Sequence, residues 1–183
     1  MTHPYLFQSD RLGFRNWTSD DLAEFALLNA DAKVMEHFPK PLTKQETADS
    51  IKRYQTHYEK YQYTYFATDL LESGEFIGLI GLMHQTYEAP FSPATDIGWR
   101  LKRTAWGKGL ATEGAKKCLQ FAFAEAILAR VVSVCPIVNA KSESVMTKIG
   151  MTKKGEFLHP ALAQYPALER CAWYEITRDE IPK

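Results

Sequence analysis

The chain has 183 residues, enough for one domain burying about 70% of the surface its unfolded form would expose, and this length excludes a disulfide-stapled miniprotein. Apolar residues at 45% and charged residues at 24% are the proportions of a globular protein, not of a disordered or fibrous one. Lysine and arginine (22) balance aspartate and glutamate (22), so no whole-molecule field draws nucleic acid or anionic lipid.

The opening MTHPYLFQSDRLGF lacks the basic start and apolar stretch of a signal peptide, and no apolar run approaches the ~20 residues of a membrane span. The expectation is a cytoplasmic protein with no membrane or nucleic-acid partner, a monomer or homodimer, forming one domain over 1–183. Cys118, Cys135 and Cys171 are odd in number, widely spaced and without a CxxC, which argues for reduced, buried thiols and against a disulfide or metal site.

In chain order, Leu12, Phe14 and Trp17 predict a short opening strand, and Thr18-Ser19-Asp20-Asp21 a capping-box helix start followed by Leu22, Phe25, Ala26 and Leu28. Pro39 and Pro41 break the chain; Thr43 with Glu46 then caps a second amphipathic helix carrying Ile51, Tyr54, Tyr58 and Tyr61 on one face. Three strands are expected at Tyr63–Thr68, Phe76–His84 and Thr95–Leu101, with a turn at Glu72-Ser73-Gly74. A helix over Gly109–Ala126 leads to the Val-rich strand Arg130–Cys135, a strand-helix-strand order that reads as a parallel crossover. A short helix near 141–149 and strands near Thr152–Phe157 and Ala172–Thr177 complete an α+β domain of about seven strands and four helices around a mostly antiparallel sheet.

The segment IGWRLKRTAWGKGLATE, Ile97 to Glu113, joins a strand to a helix through Trp106-Gly107-Lys108-Gly109. Glycines there let backbone amides approach a ligand, and the following helix adds unpaired N–H groups and the positive end of its dipole, a natural phosphate site. Arg100, Lys102, Arg103, Lys108, Lys116 and Lys117 against Glu113 alone make this segment locally basic. A Walker loop fails, with Lys102 at its first glycine and Gly109 at its hydroxyl position. The dinucleotide fingerprint offers Thr112 at its third glycine and comes mid-chain, after antiparallel-looking strands. The pattern Q/R-x-x-G-x-G/A, an acetyl-CoA pyrophosphate loop, matches at its glycines.

RLGFRNW, GEFIGLIGL, DIGWRL with WGKGLATEG, NAKSESVMTKIGM and AWYEITRDE occur in that order over nearly the whole chain. Together they resemble the GNAT superfamily of acetyl-CoA-dependent N-acetyltransferases, in the branch of the ribosomal-protein N-terminal acetyltransferases (RimJ/RimL type). The resemblance implies a GNAT-like fold and transfer of an acetyl group to a primary amine, a protein N-terminal α-amine or a small-molecule amine. It implies a pantetheine arm pairing with the backbone of Trp99, Arg100 and Leu101, and a pyrophosphate held by Gly107, Lys108, Gly109, Leu110, Ala111 and Thr112. Asn139 matches a cofactor-contacting asparagine, and Ser142, three residues on, could hydrogen-bond the departing thiolate. Two positions depart from the pattern: Thr104 stands at the Q/R site, with Arg103 one residue early, and Met146 stands where many members carry a tyrosine acid. These departures keep open a catalytically silent CoA-binding module, and an acyl donor longer than acetyl is a further rival.

An aliphatic amine with a pKa of ~10 must lose a proton before attacking a thioester. Asp96, on the strand face opposite Ile97, Trp99 and Leu101, is the first candidate base, against the plainer reading of a strand-edge charge in water. Glu113 reads as complementing the helix N-terminus. His84 could relay a proton or simply sit hydrogen-bonded at a rim, and Tyr54, Tyr58 and Tyr61 read as a core face, with a phenol reaching the acceptor cleft as the alternative. Cys135 lies near the expected thioester, but no base is evident beside it, so direct transfer in a ternary complex is preferred to an acyl-cysteine route. No metal is required.

Overall fold

Local capping chemistry starts the first two helices. In a computed structural model, which describes residues 5–180, the Thr18–Asp21 capping box opens a 3-10 turn, Ser19–Asp21, that runs straight into α1 (Leu22–Ala30). The Thr43 hydroxyl accepts from the Glu46 amide at 3.2 Å while the Glu46 carboxylate accepts from the Thr43 amide at 2.8 Å, and α2 (Lys44–Tyr61) follows.

Eight strands form one sheet: β1 (Phe7–Gln8), β2 (Leu12–Arg15), β3 (Tyr65–Leu70), β4 (Phe76–Gln85), β5 (Ala94–Leu101), β6 (Arg130–Pro136), β7 (Thr152–Leu158) and β8 (Arg170–Thr177). Their spatial order is β1-β2-β3-β4-β5-β6-β8-β7, antiparallel throughout except where β5 meets β6. That parallel pair is joined by α3 (Leu110–Ala124), as the crossover reading predicts. The remaining helices are α4 (Ala140–Lys148) and α5 (Pro166–Glu169). Among the described residues there are thus eight strands and five helices rather than about seven and four. The additional elements, β1 and α5, span two and four residues, too few for periodicity to reveal.

Strand alternation divides the core between the two faces of the sheet. Leu12, Phe14, Phe66, Ile80 and Ile97 pack with Ala115, Cys118 and Leu119 of α3 on one face. On the other, Trp17, Phe25 and Tyr54 pack with Ala67, Leu79 and Met83. The tyrosine stripe of α2 is split: Tyr54 joins the second cluster, whereas Tyr58 and Tyr61 lie against the first.

Two polar pins tie these layers together. Arg15 on β2 bridges Asp69 on β3, with Nε 2.7 Å from Oδ2, and Asp21 ahead of α1, with Nη2 2.8 Å from Oδ1. Burial pushes the Asp21 carboxyl up, but hydrogen bonds from Arg15 and Thr18 outweigh it and hold the carboxyl below its ordinary range. The second pin is His57: Nδ1 lies 2.7 Å from the Tyr63 carbonyl and Nε2 accepts from the His84 amide at 2.9 Å. This arrangement requires the neutral ring with its proton on Nδ1.

Arg15→Met should strand two buried carboxylates and cost about 3 kcal/mol in urea unfolding, far more than loss of an exposed pair. Burial holds the His57 pKa below 6.5, so its contribution is complete above pH 6.5 and fades as pH falls below that value. The urea midpoint of His57→Gln should therefore decline less steeply than that of the native chain as pH is lowered through this window.

Candidate active site

Strands β5 and β6 share a single parallel rung, Asp96 opposite Val132. Just past it, the Ile97 carbonyl is met by the Ser133 hydroxyl at 2.9 Å rather than by a β6 amide. The Lys102 amide donates to Ile77 on β4 at 2.8 Å, so ladder alternation turns the backbone of Trp99 and Leu101 the other way, toward the gap beside β6. The Leu101 carbonyl is taken by the Trp106 indole N–H at 2.9 Å. A cavity of about 840 Å³ opens at this gap, reaching from Asp96 along β5 to the first turn of α3 and the start of α4.

At the α3 end, Gly107 and Gly109 adopt left-handed φ values of +72° and +76°, which side-chain-bearing residues avoid. The first α3 bond runs from the Glu113 amide to the Gly109 carbonyl at 3.0 Å, so the amides of Leu110, Ala111 and Thr112 precede any intrahelical acceptor. Those three residues, with Gly107 and Gly109, line the cavity, and aligned amides with the helix dipole make an anion site. A Cβ on Gly109 would find only Arg11 Nη2, at 3.8 Å, and one on Gly107 would meet nothing within 4 Å. The glycines therefore serve the backbone conformation rather than clearance.

Lys108 departs from its expected place: it is exposed and off the cavity wall, and its carbonyl accepts from Arg11 Nη1 at 3.1 Å. The local basic charge is also partly spent, since Lys102 pairs with Glu24 at 2.8 Å and Arg103 with Asp31 at 3.0 Å. The cavity instead receives Lys141 and Lys148 from α4, which the sequence reading passed over. Glu113 does more than complement the helix: it accepts from Ser9 Oγ at 2.7 Å, from the Arg11 amide at 2.8 Å and from Arg11 Nε at 2.7 Å. Burial raises its pKa, but these donors prevail and the carboxyl stays ionised below its ordinary range. Glu113 thereby ties the β1–β2 turn to the loop.

Toward the N-terminal end of β5, Asp96 is 9% exposed, so the water-bathed reading fails. Its carboxylate accepts from the Tyr65 hydroxyl at 2.6 Å and from Gln85 Nε2 at 3.1 Å. Burial drives the pKa up to about 7, with the two donors pulling it partly back. Tyr65 reaches Asp96 across β4 because Tyr65, Gly81 and Gly98 lie in one row of the sheet, and a Cβ on Gly98 would stand 3.3 Å from the phenol oxygen. Sequence reasoning missed Tyr65 and Gln85; the paired glycines at 81 and 98 were the available signal, legible only with the strand register.

Trp99, Arg100 and Leu101 all line the cavity, but the Arg100 side chain turns to the α1 side, where Nη1 donates to Asn29 Oδ1 at 2.7 Å. Asn139 and Ser142 line it from the α4 start, with the Asn139 side-chain oxygen accepting from the Ser142 amide at 3.2 Å as the helix cap. Met146 is buried in the cavity wall. Cys135 is there too, but burial pushes its thiol up to about 12, which leaves it protonated and a poor nucleophile. His84 is not on the wall; its ring lies 5.1 Å from that of Tyr61.

The acetyltransferase (GNAT) domain model matches residues 11–152. The chain belongs to the GNAT acetyltransferase family. Within it, this member is 36% identical over 112 residues to the FsC-acetyl coenzyme A-N(2)-transacetylase of Aspergillus fumigatus, a match covering 58% of this chain and 48% of that protein. The structure of a GNAT-family acetyltransferase from Bacillus anthracis superposes with a TM-score of 0.78 at 24% identity, covering 94% of this chain and 98% of the other. RimJ of Mycobacterium smegmatis, solved with a CoA disulfide, gives 0.75 at 17% identity over 94% of this chain and 84% of its own. The fold is therefore the mixed α+β GNAT fold, and the protein is an N-acetyltransferase.

Removing the Tyr65 hydroxyl takes away a bond that favours the charged Asp96 carboxylate. Tyr65→Phe should move the Asp96 titration above its native value of about 7, as followed by the carboxyl stretch in infrared difference spectra.

Proposed function

We propose that the whole chain, 1–183, is one acetyltransferase domain that moves the acetyl group of acetyl-CoA to a primary amine by direct attack within a ternary complex. One juxtaposition carries this reading: a single cavity joins amides at a helix N-terminus to a buried carboxyl that titrates near neutrality. From Asp96 to Leu101 the strand rises roughly 16 Å, so a thioester arm laid along β5 runs from the anion site to the base.

In this arrangement the amides of Gly107, Gly109, Leu110, Ala111 and Thr112 hold the pyrophosphate, and the gap-facing backbone of Trp99 takes the pantetheine as an extra strand would. Lys141 and Lys148 add positive charge at the phosphate end. Asp96 accepts the proton of the incoming ammonium, which frees the nitrogen lone pair. Nitrogen then attacks the thioester carbonyl carbon and the C–N bond forms; as the C–S bond breaks, the second proton of the nitrogen passes through the Ser142 hydroxyl or a water to the thiolate, leaving a neutral amide and the free thiol. A base with a pKa near the working pH is worth about 10²–10⁴-fold, and holding both reactants in one cavity supplies much of the remainder. The name of the Aspergillus relative, which records acetyl transfer to an N(2) atom, supports an amine acceptor.

Calorimetry with acetyl-CoA and thiol release with an amine panel test the proposal. Binding accompanied by amine-dependent thiol release is the expected result; binding without release would identify a silent coenzyme-binding module, and faster release from a longer acyl-CoA would change the donor. Asp96→Asn should lower kcat by 10²-fold or more with coenzyme affinity retained, and should remove the limb near pH 7 from the pH–rate profile. A profile unchanged by this substitution would exclude Asp96 as the base.

A further inference from the structure

Arg100 carries a positive charge that nothing around it neutralises. It shares a face of β5 with Asp96 and lines the same cavity. Among the described residues no carboxylate lies within ion-pair distance of its guanidinium. Nη1 donates to Asn29 Oδ1 at 2.7 Å, the Phe38 ring lies 4.1 Å from Cζ, and Nε is buried with no partner. Cations nearby fare differently, since Lys33 has Glu36 at 2.8 Å, Lys102 has Glu24 and Arg103 has Asp31. The carboxylates on the cavity wall are engaged elsewhere as well, Glu36 by Lys33 and Asp96 by Tyr65 and Gln85.

A buried donor without an acceptor is costly and uncommon in folded proteins, and a buried guanidinium without a counter-charge more so. Pinning α1 and the segment after it would account for the contacts with Asn29 and Phe38, but it leaves the charge itself unpaired. In the arrangement proposed above the coenzyme takes main-chain groups, the phosphate amides and the gap-facing backbone of Trp99, whereas the Arg100 backbone pairs with β4 and its side chain turns to Asn29. With Nη1 held by Asn29 and Nε shut off from solvent, Nη2 is the guanidinium nitrogen that is neither bonded nor buried, a charge-assisted donor for one carboxylate oxygen.

We infer that Arg100 anchors the acceptor: the amine acetylated by this protein carries a carboxylate, which docks on Nη2 of Arg100 beside Phe38 while the amino group is presented to Asp96. This inference rests on the acetyl-transfer reading of the cavity. A free amino acid would offer its own carboxylate, and a short peptide the side chain of an acidic residue behind its N-terminus; the chemistry at Arg100 is the same.

Steady-state thiol release with saturating acetyl-CoA separates these sources. One arm offers phenylalanine, methionine and lysine, each as the free acid, the amide and the decarboxylated amine. The other offers Ala-Asp-amide and Ala-Asn-amide dipeptides. The carboxylate-bearing member should show kcat/KM at least about tenfold above its neutral counterpart in one arm, the yield of a single charge-assisted pair. Arg100→Gln should erase that preference by raising KM for the anionic acceptor alone, and Arg100→Lys should keep part of it. Both variants should bind acetyl-CoA in calorimetry as the native chain does. Equal use of acid and neutral partner in both arms, or an equal loss on every acceptor in Arg100→Gln, would overturn the inference while leaving acetyl transfer standing. Failure of the native chain to take up acetyl-CoA would instead remove the reading on which it rests.

Discussion

The single parallel rung between Asp96 and Val132 is the constraint on which the rest of the molecule depends. Two strands joined by a crossover helix ordinarily zip along their length, and a zipped β5–β6 pair would leave neither a cavity nor a free backbone edge. Here the ladder ends where it begins, and side chains rather than strand amides meet two of the carbonyls left behind: Ser133 caps Ile97, and the Trp106 indole caps Leu101. The backbone of Trp99, between them, faces the gap, so the opening is a planned interruption of the sheet with its polar groups largely provided for.

Buried carboxylates meet opposite fates on the same sheet face. Asp21 and Asp69 surround Arg15, and that charge pairing makes them structural and costly to separate. Asp96 is as well buried, but its donors are a phenol and an amide, neither of which carries charge, so burial dominates and its proton affinity rises into the neutral range. The partner, rather than the residue type or the depth, separates a strut from a reactive group.

What could be read from the sequence was what is local. Thr18 with Asp21 and Thr43 with Glu46 are capping chemistry three residues apart, and both open helical turns. The glycines at 107 and 109 announce a special backbone before a helix, and the strand-helix-strand order announces the parallel pair. What escaped reading depends on register. Tyr65 meets Asp96 only because β3, β4 and β5 align glycines 81 and 98 between them, and Arg100 meets Asn29 across 71 residues. Charge counting along the chain likewise overstated the basic character near the loop, because Asp31 and Glu24 arrive from a distant helix region to meet Arg103 and Lys102.

The tether from Glu113 to Arg11 gives ionic strength a second route into the glycine-loop end of the cavity. Added salt weakens long-range attraction of an anion to any cationic site, within a Debye length of about 8 Å at physiological concentration. Here the Arg11 side chain is also 51% exposed, and through the Lys108 carbonyl it helps to hold the glycine loop in place. Screening that ion pair loosens the scaffold of the amides as well as the pull on the phosphate. If the loop holds a phosphate as proposed, added salt should therefore weaken that binding more steeply than the cations lining the pocket alone would dictate, with the excess originating in a hairpin off the cavity wall.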